Sequence, residues 1–124
     1  MKEQVLIVNS NSETLKSAVD FFELKGIDVR RAADAETALY IVTIIQPPVI
    51  LIDMILPRMD SITFAKILKN DADTSKIIIL ALIDVNGNAQ QKKMMINICD
   101  GYISKPIDNE IFYRKITKYL HSKC

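Results

Sequence analysis

Val49-Ile50-Leu51-Ile52-Asp53 is the stretch that decides the fold: four consecutive apolar residues, three of them β-branched, closed by a carboxylate. β-Branched side chains favour strands. A run that is apolar at every position, rather than at every second one, describes a strand covered on both faces, as in a parallel sheet. Pro47-Pro48 stands directly before it and ends whatever helix precedes. Moving outward, the same kind of segment recurs as Val5-Leu6-Ile7-Val8, as Ile77 to Leu82 and, shorter, as Gly101-Tyr102-Ile103-Ser104. Ile27-Asp28-Val29-Arg30-Arg31 alternates instead, which places it nearer a sheet edge.

The segments between these strands have helical periodicity. Leu15, Ala18, Val19 and Phe22 share one face, after the turn and capping cluster Asn9-Ser10-Asn11-Ser12 and before the stop at Gly26. Asp34 caps a helix to about Ile45, with Ala38, Ile41, Val42 and Ile45 inward. Ser61 is expected to cap a helix through Phe64, Ala65 and Leu68 to Asn70. Ala89 to Ile98 suits a helix with a weak apolar face, in which Met94, Met95 and Ile96 cannot all face one core. Asp108 caps a last helix with Phe112, Ile116, Tyr119 and Leu120 inward. The alternation is (βα)₅: an α/β, doubly wound, flavodoxin-like fold with a five-stranded parallel sheet of order 2-1-3-4-5, residues 1–124 forming one domain.

Composition narrows the function classes. The 124 residues match one ordinary domain, 49% hydrophobic and 25% charged. Sixteen basic residues against fifteen acidic ones give no electrostatic reason to expect nucleic acid or an anionic membrane as partner. No membrane-spanning apolar run is present, and Met1-Lys2-Glu3-Gln4 lacks the marks of a signal peptide. Cys99 and Cys124 have no metal-ligand spacing, and the cytoplasm is the expected compartment. Cys99 reads as a small buried apolar residue.

In this kind of fold, chemistry gathers at the carboxyl ends of the strands, near the switch point between the first and third. Asn9-Ser10, Asp53, Ile83-Asp84 and Lys105-Pro106 meet there. An aspartate ending an all-apolar strand is costly to bury alone, and Lys105 is the expected counter-charge. Pro106 keeps Lys105 extended and is the candidate for a cis bond. The pair alone reads more readily as a salt bridge that satisfies its own charges than as an anion-handling site.

Leu51-Ile52-Asp53-Met54-Ile55-Leu56-Pro57-Arg58-Met59-Asp60, together with Tyr102-Ile103-Ser104-Lys105-Pro106-Ile107-Asp108, resembles the receiver domain of two-component response regulators, along essentially the whole chain. The resemblance implies that Asp53 is the phosphoacceptor, that Lys105 binds the phosphoryl oxygens, and that Tyr102 is the aromatic switch. It also implies protein partners, namely a histidine kinase, a phosphotransfer protein or an output protein. The chain is then a monomer or weak dimer through its fourth helix, fifth strand and fifth helix.

Departures from the family pattern bear on the chemistry. Where receivers carry an acidic pair that holds Mg²⁺, this chain has Asn9-Ser10. Asp53 and the backbone carbonyl of Ile55 are then the remaining candidate ligands, so no cofactor is expected, or Mg²⁺ only with low affinity. Where receivers place a Thr or Ser at the end of the fourth strand, this chain has Ile83, which cannot donate a hydrogen bond. Asp84 is a candidate to replace lost charge, although capping or solvent exposure suits it better. The leading expectation is therefore a degenerate, non-enzymatic interaction module. The alternative is a working phosphoacceptor at Asp53 with weakened Mg²⁺ dependence. A flavin or nucleotide module ranks third, for want of a glycine-rich loop after Val8.

Overall fold

The computed structural model describes residues 3–10, 15–56, 59–84, 86–105 and 107–121. In chain order the elements are β1 (Gln4–Val8), α1 (Lys16–Leu24), β2 (Asp28–Ala32), α2 (Ala35–Ile45), β3 (Val49–Asp53), α3 (Ser61–Asn70), β4 (Ile78–Ile83), α4 (Ala89–Ile98), β5 (Gly101–Ser104) and α5 (Asn109–His121). The strands pair in parallel in the order β2-β1-β3-β4-β5, the topology expected from the alternation. β3 is buried throughout, between β1 and β4, which is why it is apolar at four successive positions.

Because strand side chains alternate between faces, the sheet sorts its own residues into two cores. Leu6, Val8, Ile50 and Ile52 pack with Val42 of α2, Phe64 and Leu68 of α3 and Met95 of α4. Val5, Ile7, Val49 and Leu51 pack on the opposite face with Phe22 of α1 and with Phe112 and Ile116 of α5. The predicted inner faces hold at their centres: Leu15, Ala18, Val19 and Phe22 are buried, as are Ala38 and Val42, while Ile41, Ile45, Tyr119 and Leu120 are half-buried at the margins. Of the methionine pair, Met95 is buried and Met94 lies outside with Ile96. Cys99 is buried, and that burial, with the neighbouring Asp100 carboxylate, pushes its thiol up to about 12 against an opposing pull from Lys69.

Helix starts follow the capping chemistry at α2 and α5, while α1 begins after Leu15 with no side-chain cap, rather than on the cluster at residues 9–12, and α3 needs a correction of one residue. Asp34 accepts from the Thr37 N–H at 2.7 Å, and Asp108 accepts from Glu110 and Ile111 at 3.0 and 3.1 Å. At α3 the cap is Asp60, not Ser61. Asp60 has extended backbone and its carboxylate accepts from the Thr63 N–H at 2.7 Å, while Ser61 is already the first helical residue and is buried. At α4 the cap is Asn88, accepting from Gln91. Asp84 caps neither helix: its carboxylate accepts from the Asn86 N–H and closes the turn before α4. β4 begins at Ile78, one residue later than expected, and runs on through Ile83; β2 is likewise shifted by one. Asn11, Ser12, Pro106 and Cys124 lie outside the described residues, and with them the cis-proline expectation and any statement on the second cysteine.

At the amino edge of the sheet, Lys69 of α3 donates to the Ile77 carbonyl and pairs with Asp100 at 2.7 Å; Asp100 also accepts from the Ile79 N–H. This clasp ties α3, β4 and the α4–β5 turn together, opposite the edge where the candidate site lies.

Candidate functional site

Three strands, β1, β3 and β5, deliver the site, with β4 between the last two. β3 ends on Asp53, level with Leu82 of β4. The chain leaving β1 is held against β2 by the Asn9 N–H on the Ala32 carbonyl, and the chain leaving β5 is held against β4 by the Lys105 N–H on the Ile83 carbonyl. These backbone bonds extend the ladder one residue past each strand and fix Asn9 and Lys105 beside Asp53.

Asp53 is only 5% exposed, so its charge needs partners inside the protein. It has them at both oxygens. Oδ2 accepts from Asn9 Nδ2 at 2.6 Å and from Lys105 Nζ at 3.2 Å, and Oδ1 accepts from the Ile55 N–H at 3.1 Å. The Ser61 hydroxyl donates to the Asp53 carbonyl and holds the strand end itself. The Lys105 side chain is 25% exposed, so the ammonium reaches the carboxylate from the solvent side of the site. Asn9 is buried, and turning its NH₂ toward the carboxylate leaves its Oδ1 buried with no hydrogen-bond partner among the described residues. The opposite orientation would set that oxygen against a carboxylate. One unsatisfied acceptor is the smaller cost.

Sequence reasoning brought Asp53 and Lys105 together, and the structure pairs them. It treated Asn9 as an acid lost; the structure uses it as a donor gained. An asparagine at the end of the neighbouring strand carries that signal, since its amide presents two N–H bonds. Ser10 is exposed beside it. The Ser61 contact was also missed, because a serine before a helical pattern is most simply read as a cap.

Ile83 is buried and lines, with Tyr102, Ser104 and Ile96, a groove of about 380 Å³ between α4 and β5. Tyr102 is 42% exposed. Lys115 of α5 donates to its carbonyl oxygen and places its ammonium 4.9 Å from the ring centroid. The aromatic expected to act as a switch is thus turned outward and held there by a cation, a contact of a kind worth about 0.5–1 kcal/mol at exposed positions.

The residues around Asp53 differ from those of a Mg²⁺ centre. Such a centre takes oxygen ligands in octahedral array, with carboxylates to balance its charge. Here Asp53 is the carboxylate at hand, and N–H donors already engage both of its oxygens. No cluster of three or more His, Cys, Asp or Glu side chains suited to a metal occurs among the described residues.

Comparison with known proteins adds the following. The family described as response regulator receiver domain matches residues 5–117. The polar-differentiation response regulator DivK of Brucella anthropi is 29% identical over 120 residues, covering 97% of this chain and 98% of that protein. Among solved structures, the chemotaxis response regulator CheY4 of Vibrio cholerae superimposes with a TM-score of 0.84 at 21% identity, covering 96% of this chain and 99% of that one. The receiver domain of Saccharomyces cerevisiae Ssk1, crystallised with the histidine phosphotransfer protein Ypd1, gives 0.83 at 24% identity, covering 95% and 88%. At these identities the two superpositions speak for the fold.

Proposed function

This chain belongs to the response regulator receiver domains, the regulatory modules of two-component signal transduction, and from that membership we propose that it is a degenerate member that signals by protein contact rather than by phosphate. The observation that carries the reading is the Asp53 carboxylate with three N–H donors on it, from Asn9, Lys105 and Ile55. A carboxylate attacks phosphorus with a lone pair. Here N–H donors engage both carboxylate oxygens, which makes them poorer nucleophiles, and the one lysine balances the one carboxylate. With no divalent ion to draw charge away, carboxylate and phosphoryl oxygens repel. Ile83 removes the hydroxyl through which a phosphoryl group would reach Tyr102. What is left is a folded domain with a fixed, outward Tyr102 beside the groove of α4 and β5, a surface for a protein partner. The Ssk1 receiver domain with Ypd1 is a precedent for such a partner on this fold.

The test is to incubate the full chain with a small-molecule phosphodonor and Mg²⁺ and to record its intact mass. The expected result is unmodified protein. A stable phosphoryl adduct that is lost on Asp53→Asn overturns the proposal. It would establish the second reading, a phosphoacceptor with weakened metal dependence, which the convergence of Lys105 and the Ile55 N–H on Asp53 favours. Titrating Mg²⁺ in the same assay would then measure how far that dependence has weakened.

A further inference from the structure

We infer that the groove between α4 and β5 seats a segment of another protein that sets apolar side chains among carboxylates. This names the partner for the contact surface proposed above, and rests on that reading. Ala89, Lys92, Lys93, Ile96 and Asn97 line the groove from α4. Their spacing, i, i+3, i+4, i+7 and i+8, is one continuous face of a helix. It is not the face in the core, where Met95 is the one buried residue of α4. A stretch that reads as a helix with a weak apolar face is therefore a helix with two faces, one anchored by Met95 and one turned to the groove. Across from it stand the buried Ile83 and, from β5, Tyr102. Ile96 is 44% exposed, an apolar side chain half in water. Lys115 holds Tyr102 as a wall, so the groove is formed before a partner arrives.

Charge selects the occupant. Lys92 and Lys93 are the charged residues that line the groove among the described residues, and α4 has no carboxylate from Ala89 to Ile98. Its first turn has no acid either, so the positive end of the helix dipole is left unanswered by its own side chains. The carboxylates that flank the region are engaged elsewhere: Asp84 with the Asn86 N–H, and Asp108 with the start of α5. An apolar groove with a positive rim is matched by an apolar anchor flanked by Asp or Glu. A second copy would bring its own Lys92 and Lys93 and be repelled. Nucleic acid or an anionic membrane asks for a broad basic surface, whereas this chain has a net charge of +1 and a concave groove of about 380 Å³ that takes side chains.

Fluorescence anisotropy of the full chain with a labelled synthetic peptide tests this. The peptide has about 12 residues, with leucine at i, i+3, i+4 and i+7 and glutamate at the flanking positions. The expected result is saturable binding with a Kd of about 100 μM or tighter, weakened by added salt. Lys92→Glu with Lys93→Glu should weaken it at least about tenfold and should instead take a matched peptide with lysine for glutamate. Ile96→Gln, which keeps the charge and a good helix former, should also weaken it. Lys16→Glu with Lys25→Glu, the same charge change on α1 across the sheet, should bind as the wild type does. Circular dichroism checks that each variant folds. No binding up to about 1 mM overturns the proposal, as does binding indifferent to both folded groove variants. A wild type that takes a single-stranded oligonucleotide or phosphatidylserine vesicles but not the acidic peptide overturns it too. Binding that appears only after phosphodonor treatment, with a phosphoryl adduct by intact mass, overturns instead the reading on which it rests.

Discussion

Asn9 is where the candidate site departs furthest from a phosphate-accepting one. An amide donor on a buried carboxylate contributes about 1.5–3 kcal/mol as a charged hydrogen bond, so Asn9→Ala should lower unfolding free energy by about 1–3 kcal/mol in a denaturant titration. Asn9→Asp with Ser10→Asp does the opposite of satisfying Asp53: it sets like charges together and leaves them in need of a cation. That double variant should lose stability in a chelator and regain it with Mg²⁺, seen as a metal-dependent rise in melting temperature that the wild type lacks. Cys99 gives a pH prediction. Its thiol is raised from the usual 9.0 to about 12 by burial first and by Asp100 second. Above pH 9 the unfolded chain loses the Cys99 proton while the folded chain keeps it, so this group's contribution is full below that pH and is lost progressively up to about 12. The wild type should therefore lose stability relative to Cys99→Ala across that window, by at most about 1.4 kcal/mol per pH unit.

At the scale of elements, the start of α3 shows what sequence can and cannot decide. Asp60 and Ser61 are both good caps, adjacent, and nothing in their types chooses between them. The choice is made by backbone: Asp60 is extended and Ser61 helical, which turns the serine hydroxyl back to the Asp53 carbonyl. Asp60→Ala should cost about 1 kcal/mol as a lost cap, and Ser61→Ala about 1 kcal/mol as a lost buried hydrogen bond, both measured by chemical denaturation. Strands were legible where burial on both faces made them continuously apolar, as in β3, whose limits the sequence marks by Pro48 and Asp53. The one-residue shift of β4 had no such mark, because Ile77 is as apolar and as buried as the strand it precedes. In the site, the type and place of Asp53 and Lys105 were readable from the strand ends. The role of Asn9 was not, since residue type alone does not say whether its amide turns in to the Asp53 carboxylate or out to solvent.

For the molecule as a whole, the two edges of the sheet differ in how they are held. The amino edge is fastened by Lys69 and Asp100, with the Ile79 N–H on the same carboxylate. Asp100→Ala leaves that N–H without its acceptor and takes the carboxylate from the lysine, which retains the Ile77 carbonyl. It should cost about 1–3 kcal/mol and speed hydrogen exchange at the Ile79 amide, while the exchange of Ile55 at the far edge stays as it was. The carboxyl edge carries the Asp53 cluster, in which Asn9, Lys105 and the Ile55 N–H donate to the carboxylate. On the reading proposed above, this has a consequence for information. A domain that accepts a phosphoryl group keeps a record of a past event for as long as the bond lasts. A domain whose aspartate is already answered from within keeps none. Its message at any moment is how many copies are present and how tightly their partners hold them, so synthesis and turnover of the chain, rather than a kinase, would set the volume of its signal.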